Sequence, residues 1–143
     1  MAIVDQVESD MKSALRAGDR ERTSALRLLL AELRKAHKEG DGDELAVLRR
    51  ERKRRADAAA AYRAAGRSDL AEREEGEAQL LAAYLPSELS DGELAELVRE
   101  AIAATGAASP ADMGRVMKHA VAAAQGRAEG SRLAAAVRAA LQG

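Results

Sequence analysis

YLPSELSDGELAELV at Tyr84–Val98, TGAASPADMGRVMKHAV at Thr105–Val121 and QGRAEGSRLAAAVRAAL at Gln125–Leu141 hold three short amphipathic patterns, separated by loops of glycine and other small residues. Ser90 followed three positions later by Glu93 is a capping box. The helix it opens puts Leu94, Leu97, Val98 and Ile102 on one face. Ser109-Pro110-x-Asp112 opens the next, with serine at the N-cap, proline in the first turn and an acid at the positive end of the helix dipole. Its apolar face is Met113, Val116, Met117, Ala120 and Val121. A last helix, from about Ser131, carries Leu133, Val137 and Leu141. Residues 87–143 therefore read as a compact three-helix domain.

Upstream the same periodicity continues. Val4, Val7, Met11, Ala14 and Leu15 share a helical face that Gly18 ends, and Asp19 is placed to cap the next helix. Leu26, Leu29, Leu30 and Leu33 face inward over residues 20–38, with Arg34, Lys35 and Lys38 at the end where cations suit the dipole. After Glu39-Gly40-Asp41-Gly42, a long helix is expected from about Asp43 to Ala65, with Leu45, Leu48, Ala59 and Tyr62 as its apolar positions. In its middle, Arg49 to Arg55 holds six cations in seven positions, and Arg52 and Arg55 fall on the apolar spacing, where they must snorkel or pair with carboxylates. A turn at Gly66–Asp69 with a capping residue leads into an acidic helix to about Tyr84, ended by Leu85-Pro86. No strand pattern is present. The fold class expected is all-α: an N-terminal helical lobe over residues 1–86 with a long helical hairpin, then the C-terminal domain over 87–143.

Composition agrees with close helix packing. Hydrophobic residues make up 47% of the 143, but there is no Phe, Trp or Cys and only two Tyr, so the core is built from Leu, Val, Met and Ala. Without cysteine there is neither a disulfide nor a thiolate metal site. No apolar run approaches the ~20 residues that span a bilayer, and no signal pattern precedes the first helix. A cytoplasmic protein with no membrane partner is expected.

The formal net charge is −1. Residues 1–66 carry 15 Lys/Arg against 12 Asp/Glu, residues 67–100 three against ten, and residues 101–143 five against two. An acidic middle thus separates two mildly basic ends.

No constellation for chemistry stands out. His37 and His119 lack metal-ligand spacing with each other or with a carboxylate, and each reads as a surface residue. Glu72, Glu74, Glu75 and Glu77 read as a solvated helix face. Gly126-Arg127-Ala128-Glu129-Gly130 is either a plain interhelical turn or a phosphate-contacting one, because a helix N-terminus attracts anions; the Lys-Ser/Thr pair of a P-loop is missing. Arg115, Lys118, Arg127, Arg132 and Arg138 make the C-terminal domain a candidate phosphate-binding patch. The Arg49–Arg55 run is the stronger electrostatic feature, and it could equally face residues 72–77 as an internal ion-pair surface. No catalytic residue, metal or cofactor is expected.

Several stretches together resemble the GatB/YqeY family of small free-standing proteins and amidotransferase tails. They are Tyr62, Ala65, Gly66, Arg67, Asp69 and Leu70; Glu77 through Tyr84-Leu85-Pro86-Ser87-Glu88-Leu89-Ser90; Gly106, Ala107, Ser109, Asp112, Met113, Gly114, Val116 and Met117; and Gly126, Arg127, Ala128 and Gly130. Asp10-Met11-Lys12, Asp19, Arg22 and Leu26-Arg27-Leu28-Leu29 also fit the free-standing members. The resemblance spans nearly the whole chain. It implies an all-helical fold and a non-catalytic tRNA-binding accessory role, akin to the tail of the B subunit of the glutamine-dependent tRNA amidotransferase. Carbon–nitrogen ligation with glutamine as nitrogen donor enters only at family level.

The expected tRNA-contacting positions are Gly114, Arg115, Lys118, Gly126, Arg127, Gly130 and Arg132, with Arg49 and Lys53 on the basic helix. The resemblance also carries over Met117. Ala122, Ala123, Ala124 and Gln125 stand where the family often has a proline and lysines, and Glu129 where an Asp is common, which weakens the case for tight binding. The partners implied are tRNA and an aminoacyl-tRNA enzyme or amidotransferase. The alternative is a protein–protein interaction adaptor that binds no RNA. An independent enzyme is disfavoured, because no amidase Ser-Lys arrangement, nucleotide loop or glutaminase Cys is present.

Overall fold

The computed structural model describes residues 2–142, and among these there are seven α-helices, one 3-10 turn and no strand. The helices are α1 (Ile3–Ala17), α2 (Arg20–Glu39), α3 (Glu44–Ala64), α4 (Ser68–Ala82), α5 (Asp91–Thr105), α6 (Met113–Ala124) and α7 (Gly130–Gln142). The protein is all-α. The chain divides into two compact units, Met1–Leu85 and Pro86–Gly143.

In the first unit Val7, Leu26, Leu29, Leu30, Leu33, Val47, Leu48 and Leu81 form the core, drawn from all four helices. Gly18 takes a left-handed φ of 75°, which lets α1 end in one residue and α2 begin on Asp19, whose carboxylate accepts from the Arg22 amide at 3.1 Å. Ala2 offers α1 no side-chain cap. Glu44 does so from the start of α3, accepting from the Ile3 and Val4 amides at 3.2 and 2.7 Å. The Tyr84 hydroxyl donates to Asp10 and ties the segment after α4 to α1. Burial, followed by that bond to a carboxylate, raises the phenol above its ordinary pKa.

Three expectations for this unit need correction. Leu15 is 59% exposed, because the buried stripe of α1 runs through Val7 and Ala14 and the next residue stands ~100° away. No side chain caps α4 at its N-cap residue, Arg67; Asp69 instead pairs with the Arg67 guanidinium at 3.2 Å, and that bond holds its carboxyl below the usual range. The α4 helix also stops at Ala82, and the Tyr84 and Leu85 amides bond back to Leu81 and Ala82 in a tightened last turn.

The second unit packs Leu94, Val98 and Ala101 of α5, Val116, Ala120 and Ala124 of α6, and Leu133 and Val137 of α7 around one another, with Leu89 and Ala128 at the edges. Alanine at the contacts lets the helices approach closely, which compensates for the absence of large side chains. The Ser90–Glu93 capping box forms in both directions, at 3.0 and 3.1 Å. Pro110–Asp112 is a 3-10 turn, so the α-helical stretch starts only at Met113. Val121, expected on the inner face of α6, is 53% exposed, since the buried stripe is Val116, Ala120 and Ala124.

Candidate functional site

The cations of α3 are organised by a carboxylate. Glu51 lies inside the basic run with a side chain only 5% exposed. Arg54 Nη1 donates to it at 2.9 Å, Arg55 Nη1 at 3.4 Å, and Arg50 Nε lies 3.7 Å away. A buried carboxylate is tolerable only when paired and hydrogen-bonded in this way. Arg55 also donates to Glu77 at 3.1 Å and approaches Glu74 at 4.0 Å, whereas Arg63 forms a two-pronged bond to Glu75 at 2.8 and 2.9 Å. These pairs bring α3 and α4 together in opposite directions. Glu74, Glu75 and Glu77 are therefore partners of α3 cations, which replaces the solvated face expected for them by the other reading, an internal ion-pair surface between the two helices. Arg50 reaches Glu32 and Lys53 reaches Asp57 on its own helix; Arg49 and Arg52 are half-buried and engaged as well.

Three arginines of the second unit are likewise held. Arg115 donates to the Thr105 carbonyl at the C-terminal end of α5 and to Asp112, at 2.8 and 2.7 Å. Asp112 in turn accepts from the Ala108 and Ser109 amides; the Ala108 bond first, then Arg115, lowers its pKa to about 2. Arg127 Nε donates to the Ser87 carbonyl at 2.9 Å. Arg132 donates to the Leu89 carbonyl at 2.7 Å and to Asp91 at 2.9 Å. The Leu89 amide donates to the Arg127 carbonyl at 2.8 Å, so the α6–α7 loop stitches down the strap that leads into α5. Two successive left-handed residues, Gln125 and Gly126, turn the chain sharply enough to allow this. The Arg127 amide is used by the Ala124 carbonyl.

In the second unit, what remains open is one face of α6. Lys118 and His119 are exposed, and Lys118, like Arg138 on α7, makes no ion pair with another described residue. Gly114, Lys118, Val121 and Ala122 follow one another at helical spacing on this face. A Cβ on Gly114 would meet nothing within 4 Å, so nothing inside the described chain requires glycine there. Gly130, at the start of α7, is equally open. Of the expected contact positions, Gly114, Arg115 and Lys118 thus come together on α6; Arg127 and Arg132 are joined through the strap; Arg49 and Lys53 belong to the first unit. Sequence reasoning did not single out Glu51, although an acid inside a run of six cations is the signal that could have found it.

Among the described residues no cluster of His, Asp or Glu could hold a metal ion, and no helix is long and apolar enough to cross a membrane. His37 Nε2 faces Glu44 at 3.4 Å, a carboxylate already committed to the α1 amides.

A family model described as Yqey-like protein matches residues 4–141. The chain belongs to the YqeY-like family. None of the curated proteins compared with it matches. The match covers both units, so the Yqey-like description applies to the four helices around Leu26–Leu33 as well as to the three around Val116.

Proposed function

We propose that this YqeY-like chain is a non-catalytic tRNA-binding accessory module of aminoacyl-tRNA metabolism, with the open face of α6 as its contact surface. One observation carries the reading: Lys118 stands exposed and without an ion pair one turn from Gly114, a glycine that no internal contact requires. A lysine free of carboxylates can take a phosphate without breaking a bond, and a bare helix turn beside it lets a backbone approach. The resemblance to amidotransferase tails supplies the choice of tRNA. With one or two free cations in the second unit the affinity is modest and the salt dependence shallow, each neutralised phosphate adding about 0.7–0.9 to the slope.

A second reading, a protein adaptor that binds no RNA, is favoured by the pairing of the α3 run around Glu51, which removes the larger basic surface.

Fluorescence anisotropy of labelled, folded tRNA at about 50 and about 200 mM salt decides between them, because counterion release makes phosphate binding salt-sensitive. The tRNA reading expects binding that weakens with salt, exceeds that of duplex DNA of equal length and falls several-fold in Lys118→Glu. Binding unchanged by Lys118→Glu would remove α6 as the contact face, and no binding at the lower salt would leave the adaptor.

A further inference from the structure

We infer that the Ser87–Glu93 segment is an internal pseudo-ligand that masks Arg132 and Arg127, occupying the guanidinium positions a nucleic-acid phosphate would take. The inference rests on the tRNA reading and deepens it. Arg132 gives one nitrogen to the Leu89 carbonyl and another to Asp91, and Glu88 stands 3.8 Å away. Arg127 gives Nε to the Ser87 carbonyl and has Glu93 at 3.7 Å. Three carboxylates therefore face two guanidinium groups, so acids outnumber cations where the sequence alone suggests a basic patch. Carbonyl and carboxylate oxygens in a planar fork are also the groups that phosphate oxygens imitate.

The carboxylates are poorly placed to be there for stability alone. The Asp91 side chain is fully exposed and Glu88 about half exposed, and exposed pairs of this kind contribute little to folding. Glu93 has a separate task in the capping box. Glu88 and Asp91 are the two acids that face Arg132, and Asp91 also stands in the first turn of α5. Removing their charge frees that cation while the Leu89 carbonyl still positions it.

The test is tRNA anisotropy with Glu88→Gln/Asp91→Asn in the intact chain, beside Glu72→Gln/Glu100→Gln as a control with the same charge change at exposed acids. The expected result is roughly five- to tenfold tighter binding than wild type, exceeding the control, with the salt slope steeper by about one phosphate. Adding Arg132→Gln should abolish the gain. A gain no larger than the control's, or one that survives Arg132→Gln, would overturn the masking while leaving the tRNA reading intact. If neither wild type nor the unmasked variant binds at low salt, both fail together. Binding by the unmasked variant alone would support the mask and show that α6 does not suffice.

Discussion

The α3 run and the α6 face invert what charge counting suggests. Six cations between Arg49 and Arg55 look like the nucleic-acid surface, yet Glu51, Glu32, Glu77 and Asp57 draw Arg50, Lys53, Arg54 and Arg55 into internal pairs. Lys118, one lysine among small residues, keeps its charge available. A cation advertises a partner only to the extent that its own chain leaves it unpaired.

The largest effect that could break this contrast is at the centre of the α3 cluster. Glu51→Ala removes the common acceptor and leaves Arg55 poorly solvated, so unfolding by urea should show a loss of about 3 kcal/mol. A neutral result would mean the run is held by something other than its buried acid, and its cations would return as candidates for RNA. In the second unit Leu133→Ala opens a cavity under α7 at a cost of about 3 kcal/mol, measured the same way. That variant should lose tRNA affinity only in proportion to the fraction unfolded, whereas Lys118→Glu should lose affinity without any change in stability.

Smaller effects sharpen the comparison. Tyr84→Phe deletes the bond to Asp10 and should cost about 1–2 kcal/mol near neutral pH. The sign follows from the raised phenol pKa: the contribution is present below the ordinary tyrosine range and disappears as pH rises through the folded-state value. Ser90→Ala removes half of the capping box, for about 1 kcal/mol. The smallest expected change is at Asp112, whose carboxyl is lowered from 3.8 to about 2. Its contribution is fully present above pH 3.8 and fades as the pH falls towards about 2, and Asp112→Asn should flatten that limb of the thermal-melt profile.

Helices and their caps were legible because they are local. Gly18 with Asp19, and Ser90 with Glu93, announce ends and starts within a few residues, and the leucines of α2 recur at the right spacing. The side that a helix turns inward was less legible at its margins. Leu15 and Val121 lie on the apolar half of their helices but beyond the width that the neighbours cover. The candidate site was least legible, because the availability of Arg115, Arg127 and Arg132 depends on carbonyls 10, 40 and 43 residues away in sequence. No spacing rule connects those positions; tertiary packing does. The geometry gives Arg127 and Arg132 an architectural role, holding the segment that leads into α5.

The shortage of aromatic side chains has a spectroscopic consequence. Tyr62 and Tyr84 are the only aromatic residues in the sequence, and both fall in the Met1–Leu85 unit. Tyrosine emission therefore reports on the four-helix unit alone, whereas far-ultraviolet circular dichroism reports on all seven helices. A denaturation followed by both signals reads the two units separately without any label: coincident curves mean one cooperative molecule, and an early dichroism loss at constant emission means that α5–α7 melt first.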